Sequence, residues 1–264
     1  MTNKHGDFIW YELLTPDAEG AKAFYEAVIG WNMTTGHEGD DNYGFITRAD
    51  GGMTGGVMRL NDEMANHGAR PCWLGYIGVD NCDATVAAVE SAGGKTLMPA
   101  RDIDMAGRIA LVADNGGVPF YVMTPAPRSE GQVSTSFSPM PNPGACGWNE
   151  LSSADPSAAK DFYGKLFGWV KEGGMDMGPM GEYEFLKVGD GRHTLGALMP
   201  KMPEAPVPAW TYYFWVDGVD RAAAAVTANG GQIVNGPSEV PGPLWIVNGI
   251  DPQGAAFALV GPQK

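Results

Sequence analysis

The chain has 264 residues, of which 44% are hydrophobic and 18% are charged. Its 31 acidic and 17 basic residues give a formal net charge of −14. This balance argues against nucleic acids and anionic membrane surfaces as partners, because both are bound through clustered Lys and Arg. The 38 glycines and 20 prolines favour many turns and short strands over long helices. A chain of this length is expected to form about two domains.

The predicted elements repeat one order, a strand, a helix and three short strands, four times along the chain. The first strand is predicted over 9–14, and the first helix starts after the cap residue Asp17 and stops at Gly30. The apolar stripe of this helix has helical spacing and comprises Ala21, Phe24, Tyr25, Val28 and Ile29.

The other three helices are predicted from the same signals. The second covers about 83–92 and the fourth about 220–229, each followed by a Gly-Gly pair. The third has Asp155 as its cap, Pro156 at its first position and Gly168 at its end. Its stripe comprises Ala159, Phe162, Tyr163, Leu166 and Phe167.

The two halves of the chain are copies of one another. Residues 10–31 and 148–169 are identical at 10 of 22 positions without a gap, in the frame W-x-E-L-x3-D-x3-A-K-x-F-Y-x4-G-W. The motif D-x-x-G-x-x-F follows in both halves, from Asp114 to Phe120 and from Asp251 to Phe257. Order and spacing persist over the whole chain, which indicates a tandem duplication.

The repeat predicts two α+β domains of two βαβββ modules each. Domain 1 is predicted over 1–124, with modules at about 6–60 and 71–124, and domain 2 over 145–264, with modules at about 145–200 and 208–264. Residues 125–144, rich in Pro, Ser and Gly, are interpreted as the linker between them.

The N-terminus has no signal-peptide pattern, and no apolar run is long enough to span a membrane. The three cysteines, Cys72, Cys82 and Cys146, form no C-x-x-C motif. An odd and sparse set predicts reduced thiols in a cytoplasmic protein.

Four βαβββ modules with these two motifs resemble the vicinal oxygen chelate superfamily of glyoxalases, bleomycin-resistance proteins and extradiol dioxygenases. The W-x-E-L opening strand is similar to that of two-domain glyoxalase-like proteins of bacteria. The resemblance implies that each pair of modules curls its mixed sheet into one open barrel around a pocket, and exchange of modules between the two pairs is the alternative. It also implies a divalent metal held by His, Gln or Glu on the first and last strands of each module.

The positions that match those ligand places hold other residues in this sequence. They are Trp10, Leu74, Tyr121 and a residue near Gly56 in one half, and Trp148, Thr211, Ala258 and a residue near Gly196 in the other. None is a usual ligand of a divalent ion. The sequence therefore predicts no metal and no cofactor, with a site of His193 and Glu150 as a weaker alternative.

Strand alternation places further side chains on the faces of these positions. Glu12 and Glu150 lie two residues beyond the tryptophans, and the predicted ligand-binding residues are Trp10, Leu74, Tyr76, Tyr121, Trp148, Thr211, Tyr213 and Trp215. An aromatic pocket with one carboxylate suits a flat organic ligand. Each Glu is either a general base or a framework residue that anchors backbone or indole N–H groups.

Three functions remain open on this reasoning. The first is metal-free binding of a small aromatic or apolar molecule, by a monomer with an internal pseudo-dimer or by a homodimer. The second is a lyase, isomerase or dioxygenase-type enzyme that uses Glu12 or Glu150. The third is a structural or interaction role.

Overall fold

A computed structural model describes residues 3–127, 133–190 and 193–264. Part of the predicted linker, residues 128–132, lies outside the described residues. The first module comprises β1 (Phe8–Thr15), α1 (Ala18–Val28), β2 (Asn32–Met33), β3 (Tyr43–Thr47) and β4 (Met53–Arg59). A short helix, α2 (Asp62–Asn66), precedes the second module, which comprises β5 (Cys72–Gly78), α3 (Cys82–Ser91), β6 (Lys95–Ile103), β7 (Gly107–Ala113) and β8 (Pro119–Pro125).

The second half repeats this order. The third module comprises β9 (Cys146–Ser153), α4 (Pro156–Phe167), β10 (Trp169–Asp176), a 3₁₀ turn (Gly178–Met180), β11 (Glu182–Val188) and β12 (Thr194–Pro200). The fourth comprises β13 (Ala209–Trp215), α5 (Val219–Ala228), β14 (Gln232–Val240), β15 (Leu244–Ile250) and β16 (Ala256–Gly261). Four βαβββ modules and the α+β class are thereby confirmed.

The predicted helix ends are confirmed to within one residue. The Asp17 carboxylate accepts a hydrogen bond from the Gly20 N–H at 2.9 Å, and Asp155 accepts one from the Ala158 N–H at 3.0 Å. Gly168 ends α4 with φ of 68°, a left-handed conformation that favours glycine. Helix α3 begins after the cap residue Asn81, one residue before the predicted start.

The strands form two eight-stranded mixed sheets over the described residues. The strand order is β2-β3-β4-β1-β5-β8-β7-β6 in one sheet and β10-β11-β12-β9-β13-β16-β15-β14 in the other. In each half the opening strand of a module runs parallel to its closing strand, as β1 does with β4 and β13 with β16. Each sheet is open at its edges, as the resemblance predicted for a barrel of two modules.

Close packing divides the chain into two compact units whose boundaries differ from those of the two sheets. One compact unit contains the described residues of Met1–Ile9, Gly75–Ser134 and Trp148–Trp210, and the other contains Trp10–Leu74, Thr135–Gly147 and Thr211–Lys264. The first and second unit therefore each combine segments from both halves of the sequence. The division into domains at 124 and 145 stays a prediction.

A buried Trp-Tyr-Asp chain joins residues of three modules within each unit. In the first unit Trp210 donates its indole N–H to the Tyr163 hydroxyl at 3.0 Å, and that hydroxyl donates to Asp114 at 3.1 Å. In the second unit Trp73 donates to the Tyr25 hydroxyl at 2.9 Å, which donates to Asp251 at 3.0 Å.

These chains explain why the F-Y pair and the D-x-x-G turn recur together. Asp114 also accepts from the Gly116 and Val118 backbone N–H groups, and Asp251 from the Gln253 and Ala255 N–H groups, all at 2.8–2.9 Å. The aspartate thus shapes its own turn and anchors the helix tyrosine.

Part of the predicted linker is packed within the second unit. The buried Arg48 guanidinium donates to the Thr135 carbonyl at 2.9 Å, and the Trp31 indole N–H donates to the Gly144 carbonyl at 2.8 Å. Thr54 donates its hydroxyl proton to the same Gly144 carbonyl. Residues 135–144 therefore contribute hydrogen bonds to a core as well as connecting the halves.

No helix of the described ranges is long and apolar enough to cross a membrane. Cys72, Cys82 and Cys146 are free thiols, as the sequence predicted.

Candidate functional site

The W-x-E strand of each half carries a tryptophan and a glutamate on one face, with a tyrosine from the neighbouring hairpin beside them. In the second unit Trp10 donates its indole N–H to the Tyr43 hydroxyl at 2.9 Å. Gly56 is the register partner of Glu12 on β4, and a Cβ added at Gly56 would collide with the Tyr43 hydroxyl. Glycine at this position therefore makes room for the tyrosine ring.

In the first unit the same arrangement also contains a hydrogen bond to the carboxylate of the glutamate, Glu150. Trp148 donates its indole N–H to the Tyr183 hydroxyl at 2.8 Å, and this hydroxyl donates to Glu150 Oε2 at 2.7 Å. Phe185 packs edge-on against both rings, at centroid distances of 6.0 Å to Trp148 and 5.9 Å to Tyr183. We call Trp148, Glu150, Tyr183 and Phe185 the aromatic cluster.

Glu12 and Glu150 share their strand faces with Trp10 and Trp148, and the prediction that these faces line a ligand pocket stays a prediction. Tyr11 and Leu13, on the other face of β1, are fully buried, and the Tyr11 ring packs edge-on against Tyr212 and Phe214. Glu12 is 1% exposed, whereas Glu150 is half-buried, as are the three rings of the aromatic cluster. The carboxylate of the second half is therefore the more accessible one.

The negative charge of Glu12 affects the pKa of a neighbouring thiol, that of Cys72. Burial, and secondly the negative charge of Glu12, raise the pKa of Cys72 to about 12. A thiol reacts with alkylating agents as its thiolate, so Cys72 is expected to be nearly inert at pH 8 although it is only partly buried by surface area.

The variant Glu12→Gln removes that charge and is expected to speed the alkylation of Cys72 severalfold at pH 9. The rate is measured by mass spectrometry after timed treatment with iodoacetamide. Cys82, whose pKa burial raises to about 11, is the internal control and should react at an unchanged rate. Equal acceleration at both thiols would mean that the variant loosens the fold instead.

The remaining predicted ligand-binding residues lie on the opening and closing strands of the second and fourth modules. In the first unit Tyr76 and Tyr121 are register partners, and their rings stack at 4.1 Å with an interplanar angle of 18°. In the second unit Tyr213 accepts a hydrogen bond from Asn248 at 3.2 Å. Leu74 is buried and Thr211 is half-buried.

Trp215 has a structural contact that the sequence did not indicate. Its indole N–H donates to the Ser138 carbonyl at 2.9 Å, and Gly147 lies against the indole ring. A role for Trp215 in ligand binding stays a prediction.

Sequence reasoning did not select Tyr43, Tyr183, Phe45, Phe185, Asn235 and Asn248. The signal for the first four was present, because Tyr43-Gly-Phe45 and Tyr183-Glu-Phe185 recur in the two halves. Their position beside the first strand depends on hairpin register, which the sequence spacing does not provide.

All four histidines lie beside oxygen atoms of the chain. His193 Nε2 is 4.0 Å from the Asp7 carboxylate, and His5 Nε2 is 2.8 Å from the Leu166 carbonyl oxygen. His37 and His67 contact the carbonyls of Tyr43 and Glu63 through their Nδ1 atoms.

Comparison with known proteins agrees with the modular fold. The model of the Glyoxalase/Bleomycin resistance protein/Dioxygenase superfamily matches residues 8–122 and 147–259. The chain belongs to this superfamily.

Two relatives match nearly the whole chain. CFP32 of Mycobacterium tuberculosis, provisionally named a glyoxylase, is 33% identical over 263 residues, which cover 96% of this chain and 94% of CFP32. The anthracycline biosynthesis protein DnrV of Streptomyces peucetius is 29% identical over 271 residues, which cover 95% of this chain and 91% of DnrV.

The Mn(II)-bound glyoxalase from Novosphingobium aromaticivorans is a similar solved structure. It has a TM-score of 0.64 at 18% identity, with 98% of this chain and 83% of that chain covered. This likeness shows the fold.

The residues at the superfamily's ligand places do not fit a divalent ion. The indole nitrogens of Trp10 and Trp148 donate to tyrosine hydroxyls and have no lone pair for a metal. The register partner of Glu150 is Ala197 and that of Glu12 is Gly56, so Ala197, and not Gly196, is the counterpart of Gly56. Within the described ranges, no group of three or more His, Cys, Asp or Glu could hold a metal ion.

We therefore expect the purified, untagged protein to carry far less than one transition-metal ion per chain after dialysis. Zinc, nickel, iron and manganese are measured by elemental analysis, with the protein concentration determined independently. About one equivalent of any of them would contradict the expectation and would favour a metal-dependent reaction.

Proposed function

We propose that the chain binds a small, flat aromatic or apolar molecule against the aromatic cluster, without a metal ion. The observation that carries the proposal is the hydrogen-bonded chain from Trp148 through Tyr183 to Glu150. It fixes the polar atoms of two large side chains whose rings are only half-buried, while Asn149 and Leu151 on the opposite face of β9 are fully buried. Large half-exposed apolar groups beside a fixed polar atom are typical of ligand-binding surfaces.

The name of one relative, DnrV, supports the ligand class. DnrV is named for anthracycline biosynthesis, and anthracyclines carry fused flat rings. A ligand of this kind stacks on Trp and Phe, while a single carboxylate accepts from one of its hydroxyl groups.

Naphthalene is a minimal probe of this proposal, because it has the ring system and no polar atoms. Titration followed by tryptophan fluorescence is expected to give saturable quenching at pH 7. Quenching that rises linearly up to the solubility limit of naphthalene would contradict the proposal and would favour a structural or interaction role.

An enzyme of lyase, isomerase or dioxygenase type is the second candidate. A carboxylate 2.7 Å from a tyrosine hydroxyl can exchange a proton with it and can act as a general base. The test probe is 2,3-dihydroxynaphthalene, whose ultraviolet absorbance reports its consumption. Turnover that Glu150→Gln or Glu12→Gln abolishes supports the enzyme, and saturable binding without turnover supports the binding protein.

A further inference from the structure

Ser152 lies on the same face of β9 as the strand residues of the aromatic cluster. Burial alternates along β9, and its half-buried residues are Trp148, Glu150 and Ser152. Alternate residues of a strand point to the same face, so Ser152 follows Glu150 at about 6.5 Å along the strand. Ser152 and the aromatic cluster belong to the same compact unit, the first. A ligand of two or more rings that lies along this face can therefore contact both Glu150 and Ser152.

The Ser152 hydroxyl has no hydrogen-bond partner among the described residues, although its Oγ atom is buried. A buried hydroxyl without a partner costs free energy in the folded chain, so such groups are rare, and a ligand is one source of the missing bond. The residue as a whole is half-buried, so its accessible surface belongs to its other atoms. Rotation about χ1 between staggered positions moves the hydroxyl towards that accessible side.

The first half has an apolar residue at the corresponding place. Four residues after the tryptophan of the W-x-E frame stand Leu14 in the first half and Ser152 in the second. Leu14 is the register partner of Met58 and Ser152 that of Met199, so a methionine lies beside this position in both halves. Leu14 is buried, as expected of a side chain beside an apolar neighbour, whereas Ser152 places a hydroxyl there. The hydroxyl is therefore particular to the second half.

Ser152 also supplies a hydrogen-bond donor beside a cluster whose own donors are used. Trp148 has a single N–H, which it donates to Tyr183, and Tyr183 has a single O–H, which it donates to Glu150. An ionised carboxylate only accepts hydrogen bonds. The cluster thus suits a hydroxyl group of a ligand, and recognition of a keto oxygen on this face requires the hydroxyl of Ser152.

We propose that Ser152 donates a hydrogen bond to a carbonyl oxygen of the ligand and makes the aromatic cluster selective for carbonyl-bearing aromatic molecules. The inference rests on the proposed function, since it assumes a flat ligand against the cluster. In the bound state the serine hydroxyl bonds the keto oxygen at one end of the ligand, and the rings stack on Trp148 and Phe185 at the other.

The test compares 2-acetylnaphthalene with 2-ethylnaphthalene, two probes of similar size that differ in one carbonyl oxygen. Titration followed by tryptophan fluorescence is expected to show about tenfold tighter binding of the ketone, the gain of about one net hydrogen bond. Ser152→Ala removes the hydroxyl and should bind both probes equally. Leu14→Ser, the matched control in the first half, should leave the preference for the ketone unchanged.

Thermal melting distinguishes ligand recognition from a structural role of the serine. Ser152→Ala should leave the melting temperature unchanged or raise it, because the hydroxyl that it removes has no partner among the described residues. A fall of more than about 3 °C would overturn the inference, since it would show that the hydroxyl stabilises the fold.

The binding outcomes separate the inference from the proposed function. Equal affinity of the unmodified chain for the two probes, or a preference for the ketone that survives in Ser152→Ala, overturns the role of Ser152 and leaves the proposed function standing. Failure of the unmodified chain to bind either probe overturns the proposed function as well.

Discussion

Replacing Asp114 with alanine is expected to lower the free energy of unfolding by about 3 kcal/mol, because it removes the acceptor of three hydrogen bonds. The Gly116 and Val118 backbone N–H groups and the Tyr163 hydroxyl all donate to this carboxylate. The tyrosine is fully buried, so the loss of an acceptor for its hydroxyl proton is costly. Urea unfolding, followed by tryptophan fluorescence, measures the change.

The duplicated chain offers matched controls for this prediction. Asp251→Ala removes the equivalent acceptor in the second unit and should cost a similar amount. Tyr163→Phe removes one of these three bonds and also the bond that Tyr163 accepts from the Trp210 indole, and should cost about 2 kcal/mol. Asp104→Ala, at an exposed turn position, should change nothing measurable. An effect of Asp114→Ala no larger than that of Asp104→Ala would show that the buried chain does not hold the unit together.

The pH dependence of stability is expected to reflect the protonation of the same two aspartates, Asp114 and Asp251. Burial raises the pKa of both Asp114 and Asp251 above 3.8, so the folded chain holds these protons more tightly than the unfolded chain. Their contribution is therefore present below pH 3.8 and is lost as the pH rises through the raised value. The stability difference between the unmodified chain and Asp114→Asn should change over that window and be constant above it.

Most of the fold followed from local signals. Asp17 and Asp155 cap their helices, the stripes of α1 and α4 face a core, and Gly168 ends α4, all as the sequence predicted. These features depend on residues within four positions of each other, so one sequence is enough to find them.

Long-range pairing did not follow from the sequence. Each Trp-Tyr-Asp chain joins modules from different halves, Tyr163 to Asp114 and Tyr25 to Asp251, which are 49 and 226 residues apart. The repeat identified the helix tyrosines and the turn aspartates. It aligned each tyrosine with the other tyrosine and each aspartate with the other aspartate, and gave no reason to pair the helix of one half with the turn of the other. Hydrogen bonds between distant segments produce no periodic pattern in the sequence.

Sequence reasoning selected the first-strand residues of the candidate site and did not select those of the neighbouring strands. Alternation placed Trp148 and Glu150 on one face without knowledge of the fold. Tyr183 joins them only because β11 and β12 pair antiparallel and β12 lies beside β9, which fixes the tyrosine over the carboxylate. The hydrogen bonds from Asn235 to Asn248 and from Asn248 to Tyr213 were missed for the same reason, since these residues are aligned only across strands.

The variant Trp148→Ala is expected to weaken the binding of naphthalene roughly tenfold to thirtyfold, because the indole is the largest ring of the aromatic cluster and its loss removes on the order of 1.5–2 kcal/mol of apolar contact. The same change frees the Tyr183 hydroxyl from its indole donor but leaves its bond to Glu150 in place. Affinity is measured by calorimetry, which does not depend on tryptophan emission.

Trp10→Ala is the matched variant in the first half. It distinguishes binding at the aromatic cluster from binding at the corresponding residues around Trp10. Glu12 is buried where Glu150 is half-buried, so the carboxylate beside Trp10 is the less accessible one. The proposal places the ligand on the aromatic cluster, so Trp10→Ala should leave naphthalene affinity nearly unchanged. Both variants should lose similar stability, because each breaks one indole–tyrosine hydrogen bond of 2.8–2.9 Å. Equal stability loss with unequal affinity loss is the result that assigns binding to the aromatic cluster. Unchanged affinity in a folded Trp148→Ala variant would remove the cluster from the ligand site.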